Sequence, residues 1–550
     1  MKMSVPPQTP GRLMALLLLN GLLLAPRWLL TGSPGPAWIA LESLLVVGLF
    51  ALMPRGRPSA ALAAVAATAL VLLGVIAFAD AVARQSIGRP LNLYLDLHLV
   101  SSVHKLLNGT LGPGVTVLLM LGLALGAAVL ILILAYLLSP VEVHSPKARS
   151  RVAGVALISL FGIGLVGEQM PALTGRITLP AVEIVMDQTR HFVRMLEERE
   201  RFSADLAAVP EGYSGLGGDL GRLVDRDVVL AFIESYGVSA LYDPRFSPII
   251  LARLDVLDKR MADAGLGLAT GALVAPTQGG ESWFSHGSLL SGLWLDNQLR
   301  YDLMLASGRE TLIDDFRRAG HRTVALMPAI TLAWPEGELL GYDQIFSSRN
   351  IDYAGPALNW VTMPDQFTWS FLEHAIRTPD GADAMPVFAE IGLISSHAPW
   401  TPILSVLDDW DSIGDGLVFA RWENAGELPD ELWRDMDRVR EHYALSVDYA
   451  LDAMTSYAER YVDDQTLLIV LGDHQAAPLI IGDEAGRAVP MHVISRDPAL
   501  LQPFLDWGFE SGALPDPDRP LRGMDAFRDW FVRAFSNPAT QPQSPISNFE

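Results

Sequence analysis

The sequence predicts two architectures in one chain: an N-terminal transmembrane domain of five helices, then an α/β extracytoplasmic domain whose mostly parallel sheet is covered by helices on both faces. Three observations predict it. Eleven basic and five acidic residues up to Gly175 give a net charge of +6, whereas 29 basic and 57 acidic residues after it give −28. Five apolar stretches crowd the first third. Beyond them, short apolar runs alternate with amphipathic helical patterns.

A helix needs about 20 apolar residues to cross the hydrocarbon layer. Residues 36–53, 59–78, 115–138 and 152–166 read as spans. Residues 13–30, interrupted by Pro26 and Arg27, read as an uncleaved first span, because no convincing small-residue cleavage site follows. Lys2 and Arg12, Arg55 and Arg57, and Lys147, Arg149 and Arg151 then all fall on one side, which sets the N-terminus in the cytoplasm. Five crossings leave everything after about Pro171 outside, so the expected location is the inner (cytoplasmic) membrane, multi-pass, with a periplasmic or extracellular remainder. The absence of cysteine excludes disulfides, thiolate metal sites and a cysteine nucleophile. The overall charge of −22 argues against a nucleic-acid partner.

The expected domains are a membrane part (1–175), an amphipathic connector helix and linker (176–226), a catalytic part (227–536) and a disordered tail (537–550). Residues 179–208 carry an apolar stripe of Val182, Val185, Met186, Phe192 and Met195, and a Gly-rich linker runs from Glu211 to Asp219. Strands are expected at Val228–Ile233, Thr323–Met327, Val387–Ile394, Leu467–Leu471 and Val489–Ile494. Helices are expected at Pro248–Ala264, Ser288–Ala306, Glu310–Ala319, Gln366–Ile376 and Pro429–Tyr461. Runs apolar throughout suit a sheet buried on both faces, and such sheets hold their sites at the carboxyl ends of the strands.

Polar residues at those ends are the candidates. Glu234 follows the first strand, where a carboxylate is costly unless paired or bound to a cation; it also fits an exposed loop. Asp473 and His474 follow Gly472 after the fourth strand and suit Zn²⁺ or Mn²⁺, or a solvated turn. His397, in Ser395-Ser-His-Ala-Pro-Trp400, can bind a phosphate oxygen, donate a proton to a leaving group, or hydrogen-bond its loop. Gly279-Gly-Glu-Ser282 ahead of an apolar helical run places Ser282 near a helix N-terminus, as an activated hydroxyl or an ordinary cap. His286 and His492 read as packed residues.

Taken together, these motifs over about Asp227 to Asp497 resemble the alkaline phosphatase superfamily in its sulfatase-like branch. The layout of the whole chain resembles membrane-anchored phosphoglycerol and phosphoethanolamine transferases of the lipoteichoic acid synthase type. The resemblance implies Glu234, Asp473, His474 and the Ser282 oxygen as ligands of one divalent metal ion, Mn or Zn. It implies Ser282 as nucleophile, by its spacing to Ser288-Leu-Leu-Ser-Gly-Leu293, with Ser285 in reserve, and His397 as the substrate-side histidine. The formylglycine signal of sulfatases is missing, since Trp283, Phe284, Ser285 and His286 follow Ser282; an unmodified serine suits phosphoryl transfer. Where phosphoglycerol transferases carry Trp-x-Arg, this chain has Trp334-Pro-Glu336, so both residues are expected to touch substrate, with Glu336 tolerating a cationic head group better than a glycerol phosphate. The implied reaction moves a phospho-head group from a phospholipid donor to an envelope glycan or lipid acceptor through a phosphoserine. The alternatives are a membrane-anchored phosphodiesterase or sulfatase-like hydrolase using water, and a non-enzymatic envelope protein.

Overall fold

The computed structural model describes residues 8–31, 37–54, 56–139, 147–167, 170, 176–207, 219–377 and 385–537. The Gly-rich linker, apart from Asp219, and the tail beyond Asn537 lie outside them. The chain divides into two compact units, Met1–Gln85 with Arg89–Glu198 and Ser86–Gly88 with Arg199–Glu550.

In the first unit all five predicted spans are helical, but they differ in reach. Arg57–Ile87 and Pro113–Leu138 are long and apolar enough to cross a membrane, whereas Gly11–Pro26, Leu41–Leu52 and Arg151–Gly167 are shorter apolar helices. The twelve residues of Leu41–Leu52 rise only about 18 Å against a hydrocarbon layer of about 30 Å. The chain that was expected to begin the second span instead forms a two-residue parallel pairing of Ile39–Ala40 with Ile177–Thr178. Helices Leu41–Leu52 and Lys147–Gly167 approach closely through glycines: a Cβ on Gly48 would fall 3.2 Å from the Gly154 carbonyl oxygen, and one on Gly154 would fall 3.0 Å from that of Gly48. The amphipathic helix is present at Pro180–Ala207. Glu42 caps it, one carboxylate oxygen accepting from the amides of Ala181 (2.9 Å) and Val182 (3.1 Å). Of its expected stripe, Met195 is buried while Val182, Val185, Met186 and Phe192 are exposed.

The second unit is built on a nine-stranded mixed sheet. Its strands are β1 (Asp227–Ile233), β2 (Gly267–Val274), β3 (Arg322–Met327), β4 (Gln344–Ser347), β5 (Val387–Gly392), β6 (Thr466–Gly472), β7 (Ala488–Ser495) and the two-residue β8 (Glu510–Ser511) and β9 (Arg522–Gly523). Their order is β8-β2-β7-β6-β1-β5-β3-β4, with β9 also on β2. The five strands from β6 to β4 are parallel. Beyond this parallel centre, β7 runs antiparallel to β6. The link between them holds only the one-turn helix Pro478–Ile481, and a short return without a crossover helix turns the chain back beside itself.

Successive side chains of β1 feed opposite layers, as expected for a strand buried on both faces. Val229, Ala231 and Ile233 join a core with Leu254, Phe367 and Tyr443; Val228, Leu230 and Phe232 join one with Phe284, Phe316 and Phe531. The first layer holds helices Ser247–Asp263, Asp365–Phe371 and Met436–Tyr461. One expectation is corrected, and one strand was not expected. The helix expected at Ser288–Ala306 is two helices, Ser282–Ser291 and Gln298–Ser307, because Gly292 adopts φ +70° and ends the first. Strand β2, rich in Gly and Ala, had no apolar run to announce it.

Candidate metal and phosphoryl-transfer site

Strands β1 and β6 are paired in register, Ile233 opposite Gly472. The next residue of each strand is a carboxylate, so Glu234 and Asp473 arrive together. Gly472 is required by packing: a Cβ there would come within 1.8 Å of the Tyr236 carbonyl oxygen. Ser235, at φ +57°, turns the chain out of β1 and gives its amide to Asp473 Oδ1 at 2.7 Å. The His474 amide also donates to that oxygen, at 2.6 Å. Ser235 Oγ donates to Glu234 Oε1 at 2.9 Å, and Ser396 Oγ to the Glu234 carbonyl at 2.6 Å.

One ligand atom from each of Glu234, Asp473 and His474 lies within 4.8 Å of the others. His474 Nε2 is 3.5 Å from Glu234 Oε1 and 3.5 Å from Asp473 Oδ2. Its Nδ1 lies 2.9 Å from the Gln475 carbonyl oxygen, which can only accept, so Nδ1 carries a proton and leaves the Nε2 lone pair inside the cluster. Two carboxylates and an imidazole lone pair, all largely buried, form a donor set that fits a divalent cation. Burial pushes Asp473 up to about 6, with Glu234 alongside adding to the rise. Glu234 is also raised by burial, but His474 and His397 more than reverse this and hold it below its usual range.

Ser282 reaches the same point. Gly279 (φ +73°), Gly280 (φ +149°) and Glu281 (φ +62°) lift the chain into helix Ser282–Ser291, of which Ser282 is the first residue. Its hydroxyl lies 3.3 Å from His474 Nε2. The four predicted ligands therefore converge. Ser285, the reserve nucleophile, is fully buried with its Oγ 3.5 Å from Thr277 Oγ1.

His397 sits on the loop after β5, partly exposed; its Nδ1 lies 2.6 Å from the Ala398 carbonyl oxygen and its ring 6.1 Å from that of Trp360. Behind it Asp365 accepts the amides of Ile394 and Ser395, both at 2.9 Å, and burial pushes this carboxyl up to about 6. Trp334 and Glu336 lie on the connection from β3 to β4. The Trp334 ring packs over Gly337 and 6.4 Å from the ring of Tyr342, and Glu336 acts electrostatically on Tyr301. No hydrogen bond joins either to the Glu234 cluster among the described residues.

Sequence reading missed a buried group beside the site: His286 Nδ1 is 2.7 Å from Glu390 Oε1, and Tyr342 donates to Glu390 Oε2. The signal was a charged residue, Glu390, inside the apolar run of β5.

No family model matches the chain, and no curated protein matches it. Among solved structures it is similar to the lipoteichoic acid synthase LtaP from Listeria monocytogenes, at 11% identity over 50% of this chain and 66% of that one, with a TM-score of 0.35. It is similar to the Streptococcus pyogenes phosphoglycerol transferase GacH in complex with sn-glycerol-1-phosphate, at 11% identity over 64% and 88% of the two chains, TM-score 0.36. The Zn complex of the C-terminal periplasmic domain of EptC from Escherichia coli matches at 12% identity over 57% and 83%, TM-score 0.35.

Proposed function

We propose that this protein is a metal-dependent phosphotransferase that moves a phospho-head group from a phospholipid to an envelope glycan or lipid acceptor through a phosphoserine at Ser282. The observation that carries the proposal is the meeting of Ser282 Oγ with His474 Nε2 at 3.3 Å, beside Glu234 and Asp473. Glu234, Asp473 and His474 would hold one Zn or Mn ion, with the serine oxygen joining them. Bound there, the ion would lower the hydroxyl's pKa and offset charge on the phosphoryl oxygens.

Ser282 attacks phosphorus in line and expels the donor alcohol, diacylglycerol for a phospholipid. His397, on the neighbouring strand end, protonates the departing oxygen. An acceptor hydroxyl then takes the group from serine. Glu336 beside Trp334 favours a cationic head group such as ethanolamine over glycerol phosphate. Residues 1–175 anchor the protein in the inner membrane, with Arg57–Ile87 and Pro113–Leu138 as the helices long enough to cross it, residues 176–226 connect, and 227–536 work on the outer side. The exposed apolar residues of helix Pro180–Ala207 fit a lipid-facing connector.

The test is mass spectrometry of the full chain after incubation with vesicles containing phosphatidylethanolamine or phosphatidylglycerol. The expected result is a head-group phosphate adduct on Ser282, absent in Ser282→Ala, and its transfer to added glycan. Unchanged turnover in Ser282→Ala removes the assignment. Release of the free head-group phosphate with glycan present indicates a hydrolase instead.

A further inference from the structure

Helix Ser282–Ser291 carries a histidine, His286, that the reaction above leaves idle. His286 lies one turn after Ser282, and helical side chains lean towards the N-terminus, so its ring covers the turn that bears the serine. The ring stacks on Phe232 with centroids 3.7 Å apart. Its Nδ1 meets Glu390 at 2.7 Å, and Glu390, only 1% exposed, takes the Tyr342 hydroxyl on its other oxygen. A carboxylate accepts and cannot donate, so Nδ1 is the donor and Nε2 of the neutral ring is a lone pair. Phe232 lies two residues before Glu234 at the end of β1, so the stacked ring lies on the same face of the sheet as that carboxylate.

The serine proton needs such a group. His474 Nε2, now 3.3 Å from Ser282 Oγ, is the atom a cation would occupy, and a lone pair given to a cation cannot accept a proton. We propose that His286, oriented by Glu390 and Tyr342, is the base that accepts the Ser282 hydroxyl proton, directly or through one water. This rests on the phosphoserine reading above. In the first step the Oγ–P bond forms, the serine proton passes to His286 Nε2, and the P–O bond to the donor alcohol breaks with a proton supplied by His397. In the second step the acceptor oxygen bonds to phosphorus and its proton returns to His397. The Oγ–P bond breaks, and His286 gives its proton back to the serine. Between the two steps the charge on the His286 ring is matched by Glu390. Glu390 and Tyr342 are positioning residues.

The experiment uses the full chain loaded with Zn and bis(4-nitrophenyl) phosphate, following nitrophenol release and the Ser282 adduct by mass spectrometry. His286→Ala is expected to slow adduct formation about 100-fold at nearly unchanged KM, with one Zn still bound, and free imidazole is expected to restore at least about tenfold. Glu390→Gln and Tyr342→Phe should slow it about tenfold through loss of ring orientation, with a change in kcat rather than KM. If wild type forms the adduct and His286→Ala forms it within about twofold of the wild-type rate, the proposal is overturned while the phosphoserine reading stands. Loss of bound Zn in His286→Ala, with no rescue by imidazole, assigns a structural role and overturns it as well. If wild type forms no adduct and Ser282→Ala keeps turnover, the phosphoserine reading fails and the base falls with it.

Discussion

Replacing Asp473 by Asn should have opposite effects on stability without and with metal. In the metal-free protein Glu234 and Asp473 offer oxygens within 4.8 Å, where two charges at an effective dielectric of 20 repel by about 3 kcal/mol. The lift of the Asp473 carboxyl from 3.8 to about 6, caused first by burial and then by Glu234, corresponds to about 3 kcal/mol against the charged form. The sign follows from linkage. A carboxyl whose folded pKa is raised binds more protons when folded, so stability falls as pH rises from about 4 through about 6 and stays low above it. Asn keeps an acceptor for the Ser235 and His474 amides but carries no charge. At pH 8, metal-stripped Asp473→Asn should therefore melt higher than stripped wild type, by roughly 4 °C for a unit of this size. At pH 4 the two should coincide. Adding Zn at 100 times its Kd should stabilise wild type by about 2.7 kcal/mol and leave the variant almost unmoved. Differential scanning fluorimetry of the detergent-solubilised chain, with and without chelator at both pH values, reads all four conditions. A full Zn-induced upshift in Asp473→Asn, or no gain in the stripped variant at pH 8, would refute the reasoning.

Three further outcomes are expected. Gly472→Ala should destabilise the second unit by about 3 kcal/mol or more, because the obstructing atom is a backbone carbonyl that cannot swing aside; a melt within 1 °C of wild type would contradict this. Asp365→Asn should flatten the pH dependence of stability between about pH 4 and 6, since this buried carboxyl is pushed up to about 6 and wild type loses about 3 kcal/mol as it ionises; parallel wild-type and variant curves over that window would count against it. Glu336→Arg should shift donor preference from phosphatidylethanolamine towards phosphatidylglycerol by about tenfold or more in kcat/KM, read by competing the two lipids in mixed vesicles.

The parallel centre of the sheet was legible because strands buried on both faces need apolar side chains at every position, as in Leu467–Leu471. The candidate ligands were legible for a related reason: Glu234 and Asp473 are the first residues after such runs, where a charge asks for a partner. The direction of β7 was not legible, since an apolar run carries no sense of orientation and only the short link to β6 decides it. Strand β2 was hidden by small residues, whose burial depends on neighbours such as Phe509, closely packed against Gly271. Glu390 was overlooked as one charge in a strand, although burial made a partner obligatory. Its pairing with His286 joins positions 104 residues apart, and only the folded sheet brings them together.

The in-register pairing of Ile233 with Gly472 has a consequence for assembly of the protein. A slip of one residue between these strands would displace the two acidic side chains along the sheet by about 3.3 Å and turn one of them to the opposite face. The ion pocket would then not exist. An ion held by these residues would therefore favour the correct alignment of the central strands, because only the native register offers it both carboxylates.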